Sequence, residues 1–179
     1  MNKNTRKAIF AFGLTFFMSV SVMASNTLTF TGKVFDSSCI VTVNGGNATI
    51  DVGGLAKSDI TAAGQTGAPK IFIVSLTSCP ASGTGVPTKA YIKFSGTTET
   101  DSSYFKNSLV DANAATDIAL LIKDSAGNAI HNNSGNIPVN LPVAGGNLDA
   151  NYTASLVALS STPGKGDYST TITYSISYE

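Results

Sequence analysis

The sequence predicts an all-β chain built as a sandwich of short strands, on three observations. Apolar and polar residues alternate over short runs, Gly-, Asn- and Ser-rich breaks separate those runs, and only two brief stretches look helical. The first run, Leu28 to Val34, sets Leu28, Phe30, Gly32 and Val34 against Thr29, Thr31 and Lys33. Ile40 to Val43, Thr49 to Val52, Ile71 to Leu76 and Ala90 to Phe94 follow as strands. Ile118 to Lys123, Ile137 to Leu141, Tyr152 to Leu159 and Tyr168 to Tyr178 complete the set. Turns are expected at Gly45-Gly46-Asn47, Asp124-Ser125-Ala126-Gly127 and Gly145-Gly146-Asn147. Ile60 to Ala63 and Asp111 to Ala115 are the short helical stretches.

Residues 1–24 form a secretory leader. Lys3, Arg6 and Lys7 precede an apolar run from Ala8 to Val22, and Val22-Met23-Ala24 places small residues before a cut after Ala24. The run is interrupted by Gly13, Thr15, Ser19 and Ser21 and falls short of the roughly 20 residues that span a bilayer. Removing it takes three basic residues and no acidic one, leaving eight against 11 and a net charge of −3. The chain is therefore exported and reads as one domain after the leader, with no linker, repeat or low-complexity tract.

Composition narrows the function. Charged residues are 12% of the chain, with no basic face of the kind that displaces counterions from nucleic acid. No catalytic set, cofactor motif or metal site emerges. Any Ser/His/Asp triad would rest on His131, the single histidine, in the polar run before Asn132-Asn133-Ser134. Cys39, Cys79 and His131 cannot close a tetrahedral zinc site. Two cysteines in an oxidising compartment instead form one structural disulfide, Cys39–Cys79. The loop it closes is worth about 4 kcal/mol in the chain-entropy model.

The two ends stand out. At the C-terminus, Tyr168, Thr170, Ile172, Tyr174, Ile176 and Tyr178 share one face to within a residue of Glu179. A long aromatic last strand needs partners on both edges or becomes a sticky edge. At the N-terminus, Gly32 interrupts an apolar strand face, which costs stability unless a close approach needs the missing side chain.

These ends carry a resemblance. Leu28-Thr29-Phe30-Thr31-Gly32-Lys33-Val34 followed by Cys39 is similar to the start of mature pilins of the bacterial chaperone–usher pathway. Gly166, the alternating apolar residues after it and the penultimate Tyr178 resemble their close. The resemblance implies an incomplete immunoglobulin-like β-sandwich that lacks its last strand and receives one from another chain. It divides the chain into the leader 1–24, an N-terminal donor extension 25–35 and a pilin domain 36–179. Leu28, Phe30, Gly32 and Val34 become donor residues, with Gly32 at the closest approach of the two backbones. Gly166, Tyr168, Ile172, Tyr174, Ile176, Tyr178 and Glu179 become the acceptor strand, faced first by a periplasmic chaperone that also holds the Glu179 carboxylate. The implied partners are that chaperone, an outer-membrane usher and neighbouring pilins joined head to tail in a surface fimbria that supports adhesion. A tip adhesin or a free-standing secreted immunoglobulin-like module is the alternative. The chain is too short for an added lectin domain.

Overall fold

A computed structural model describes residues 31–35, 38–47, 49–134 and 138–179 of the chain. The expected leader and the expected donor residues Leu28 and Phe30 lie outside the described residues. The chain divides into two units, Met1–Lys33 and Val34–Glu179. Within the first, Thr31, Gly32 and Lys33 are exposed and belong to no strand.

Among its described residues the second unit holds eight strands: β1 Ile40–Val43, β2 Lys70–Cys79, β3 Lys89–Ser95, β4 Tyr104–Lys106, β5 Ile118–Asp124, β6 Pro138–Asn140, β7 Gly146–Ala158 and β8 Thr173–Tyr178. One sheet has the order β1-β2-β7-β5-β4, the other β6-β3-β8, and every pairing is antiparallel. β7 pairs β2 through Gly146–Ala154 and β5 through Tyr152–Ala158, which makes it the spine of the larger sheet.

Alternation explains the core. On β2, Phe72, Val74 and Leu76 are buried, and on β3 so are Ala90, Ile92 and Phe94; side chains two apart share a face. Phe72 stacks on its cross-strand partner Tyr152 at 5.5 Å, and Phe94 meets both rings edge-on from the other sheet at 5.8 and 5.1 Å. This three-ring contact joins the layers, and burial pushes the Tyr152 phenol up to about 12. The Cys39–Cys79 disulfide ties the start of β1 to the end of β2.

Several expected elements differ. Thr49 to Val52 forms no strand and pairs with none of the described strands; Ile50 and Val52 pack against the core. Ile60 to Ala63 and Asp111 to Ala115 are turns rather than helices. The Gln65 side chain captures the amides of Thr61 and Ala62, and Asp111 captures that of Asn113 at 2.8 Å, so side chains take the bonds a helix would use. β4 has no counterpart among the expected strands, and at three residues it is too short to show alternation.

The expected strand Tyr168 to Tyr178 is divided. Only Thr173–Tyr178 pairs with β3. Before it, Asp167 exchanges hydrogen bonds with Asn113 and Ala115, and the Tyr168 hydroxyl donates to the Phe105 carbonyl at 2.8 Å. Asn107 clamps the same stretch with four bonds. Its Nδ2 donates to the carbonyls of Ala115 and Asp167, and its Oδ1 accepts from the amides of Leu109 and Ser169.

Gly166 lies ahead of β8, at the start of this clamp. A Cβ there would press on the Asn113 carbonyl and stand 2.6 Å from Ala114 and Ala115 backbone atoms, at a φ of +152° that side chains rarely adopt. Gly166→Ala is expected to cost at least about 2 kcal/mol. The chemical-denaturation midpoint reads this out, and an unchanged midpoint would refute the close packing.

Candidate functional site: the free edge of the C-terminal strand

β8 is the edge of its sheet and β1 the edge of the other. Tyr174, Ile176 and Tyr178 stand opposite Phe94, Ile92 and Ala90. They therefore face the core, yet they are not covered as their buried partners are. Tyr174 is 42% exposed, and Ile176 and Tyr178 are only partly buried. Across from them on β1, Val41 and Val43 face inward beside Leu76 and Val74 and are also partly buried. Tyr168 and Ile172 extend this half-covered apolar row toward the Asn107 clamp. The result is a groove between two sheet edges, apolar along its floor. At its far end the Tyr178 hydroxyl donates to the Cys39 carbonyl at 3.4 Å.

The backbone is arranged to match. Lys89 and Glu179 exchange both N–H···O bonds, at 2.9 and 3.0 Å, which marks a hydrogen-bonded pair. In an antiparallel ladder such pairs alternate with non-bonded ones. Ser177, Ser175 and Thr173 therefore spend their main-chain groups on β3. Those of Tyr178, Ile176 and Tyr174 point to the free edge. The same three residues present uncovered apolar side chains and, among the described residues, unpaired N–H and C=O groups, the combination an added strand uses.

The remaining expected site residues are accounted for as follows. Cys39 and Cys79 are joined. Val34 is 97% exposed and Gly32 exposed. Among the described residues a Cβ on Gly32 would meet nothing within 4 Å, and its φ is not positive. Glu179 has its main-chain oxygen bound by the amides of Thr88 and Lys89, and its side chain accepts from the Tyr91 hydroxyl at 2.6 Å. That contact raises the Tyr91 pKa. Asn107 escaped the sequence reading because an Asn in a polar stretch carries no local sign of partners as far along the chain as Asp167 and Ser169.

Among the described residues no three His, Cys, Asp or Glu side chains gather to hold a metal, and no helix is long and apolar enough to cross a membrane. His131 Nδ1 lies 3.1 Å from the Ser102 hydroxyl, while the neighbouring Asp101 carboxylate is bonded to Ser103.

The family model for fimbrial proteins matches residues 28–179. The chain belongs to the fimbrial protein family. Its relatives include long polar fimbria protein A of Salmonella typhimurium and the "Probable major fimbrial subunit LpfA" of Escherichia coli O157:H7. Each is 28% identical over 178 residues, spanning 97% of both chains. Among solved structures it is similar to the P pilus rod subunit PapA (TM-score 0.63, 21% identity, 80% of this chain and 100% of that one). A subunit of a chaperone–usher pilus matches with a TM-score of 0.64 and 22% identity, over 90% of this chain and all of the other. The CupB6 tip adhesin of Pseudomonas aeruginosa matches over 78% of this chain but 38% of its own, with a TM-score of 0.59 and 16% identity. These likenesses show the immunoglobulin-like pilin fold. This family is one of structural subunits, exported through the periplasm and assembled as fimbriae on the cell surface, and it is not an enzyme family.

In the isolated fimbrial subunit, the amides of Tyr174, Ile176 and Tyr178 are expected to exchange with solvent at least tenfold faster than those of Ser175 and Ser177. Residue-resolved hydrogen exchange measures this, and uniform protection along β8 would show that the edge is already paired.

Proposed function

We propose that this fimbrial subunit polymerises head to tail by strand donation, residues 25–35 of one copy filling the groove beside β8 of the next. The observation that carries the reading is the coincidence of uncovered inward side chains and free main-chain groups at Tyr174, Ile176 and Tyr178. A donor strand supplies both missing partners at once. Leu28, Phe30 and Val34 alternate at the spacing that fills such a floor, and Gly32 allows backbone contact between them.

The energetics are of the right size. Burying three large apolar side chains at about 1.5–3 kcal/mol each gives roughly 5–9 kcal/mol, comparable with the 5–15 kcal/mol that holds an ordinary domain together. A subunit that must receive a strand is poorly protected alone, so a periplasmic chaperone covers the same edge until an outer-membrane usher brings the next subunit. Each copy gives and receives one strand, so the contact is heterologous and does not close, and a filament follows. The Glu179 end, with its side chain already held by Tyr91, is the terminus the chaperone grips through basic residues.

Deleting residues 25–32 is expected to abolish subunit-to-subunit assembly while leaving chaperone capture intact. Gly32→Leu is expected to block insertion without harming the sandwich of the chain that carries it. Both are read by electron microscopy of surface fibres and by co-purification with the chaperone, and normal fibres from either variant would refute donation by this segment. Asp at positions 176 and 178 together is expected to lower periplasmic subunit levels severalfold, and unchanged levels would remove β8 as the recognised edge.

A further inference from the structure

Strand donation leaves apolar residues of the sandwich itself uncovered. Among the described residues the exposed large apolar side chains are Val34, Ile40, Ile71, Val110, Val143 and Tyr174. Val34 and Tyr174 belong to the proposed donor and its groove. Val110 and Val143, 97% and 77% exposed, lie on loops at opposite ends of the sandwich. A lone exposed valine is ordinary, but these two stand where one polymer junction brings both.

Val110 sits on the connection from β4 to β5, at the clamp end. Before it, Ser108 donates its amide to the Ser169 carbonyl; after it, the Asn113 carbonyl accepts from the Asp167 amide. The loop is thus bonded on both sides of Val110 to the start of the acceptor segment. Val143 sits on the connection from β6 to β7, at the disulfide end. Its carbonyl accepts from the amide and the hydroxyl of Ser82 at 2.9 and 3.1 Å. Two residues on, Gly145 lies so close to Cys79 that a Cβ there would stand 2.8 Å from the Cys79 carbonyl oxygen. Cys79 is joined to Cys39, just ahead of β1. Both loops are anchored through their main chains, so each valine is held out on a fixed support.

Direction and length bring the two ends together. Every pairing in both sheets is antiparallel, the more stable sense per residue. A donor strand added to β8 in that sense enters beside Tyr178 and leaves at the clamp end, with Val34 as its last apolar position. From Val34 to Cys39 there are five peptide steps, which span at most about 18 Å. The disulfide end of the donor body therefore stands within that reach of the acceptor's clamp end.

We infer that the β6–β7 loop of the donor copy seats on the β4–β5 loop of the acceptor copy, Val143 against Val110, as a second contact at each junction. The inference rests on the strand-donation reading and adds to it a contact between the two bodies that the donor segment joins. The contact is heterologous, position 143 against position 110 and never like against like, so it repeats along the filament without closing. It restrains the bending that a short connector alone would permit.

The test uses surface fibres from cells making the full-length chain with Val110→Cys and Val143→Cys together. The fibres are oxidised with copper phenanthroline, then heated in denaturant without reductant and sized on a gel. The double variant is expected to leave a ladder of covalent multimers at least about fivefold more abundant than either single variant leaves, because a heterologous contact never pairs a position with itself. Intact fibres without a ladder overturn the inference, and so does an equal yield from a single variant. Because added cysteines can mispair with Cys39 or Cys79, charged variants give a second readout, fibre persistence length by electron microscopy. Val110→Glu with Val143→Glu is expected to lower it at least about threefold, and Val110→Glu with Val143→Lys to keep it within about 1.5-fold of wild type. Unchanged stiffness in the Glu/Glu fibres overturns the inference while leaving strand donation standing. Fibres that still form after residues 25–32 are deleted overturn strand donation itself, and with it the direction that brings these two ends together.

Discussion

The structure turns on the edge of β8, which no other described strand pairs. An antiparallel strand offers its main-chain groups alternately to its two neighbours, and its side chains alternately to its two faces. Here the two alternations fall in the same phase. Tyr174, Ile176 and Tyr178 direct their side chains to the core and their N–H and C=O groups to the open edge. Had the register against β3 been shifted by one residue, serines and threonines would line the groove instead. Lys89 and Glu179 hold that register, aided by the bond from Tyr91 to the Glu179 side chain.

The rest of the sandwich makes this edge firm enough to be used. The Phe72, Tyr152 and Phe94 contact fixes the spacing of the sheets, and the disulfide fixes β1, the opposite wall, to β2. At the other end Asn107 and the close crossing at Gly166 hold Asp167 to Ser169 against the β4–β5 connection. The last segment is thereby passed from contacts with one sheet to pairing within the other. A groove with two anchored ends has a defined length, which is what a donor strand of alternating residues can match.

Much of this was legible in order along the chain. β1 matches the expected Ile40 to Val43, and β2, β3 and β5 enclose or closely match their expected runs, because period-two alternation is a local property that burial on one face imposes; β7 instead begins at Gly146, well before the expected Tyr152, and takes in Gly146 and Asn147 of an expected turn. The strand expected at Thr49 to Val52 shows the converse. Its apolar residues are drawn to the core, but pairing needs a neighbouring edge, and no described strand supplies one. The expected strand from Tyr168 to Tyr178 has unbroken alternation and is nevertheless split, since partners more than fifty residues away, at Asn107 and Phe105, capture its first half.

The sequence by itself determined the fold class, the single disulfide and the oddity of the two termini, since composition, cysteine number and alternation each act over short range or need no partner to be read. Tertiary structure alone decided that β8 is an edge, that its free backbone groups belong to its inward residues, and that Asn107 and Gly166 shape one end of the groove. Those properties depend on which strand lies beside which, and hydrogen-bond phase and steric approach exist only between segments already brought together.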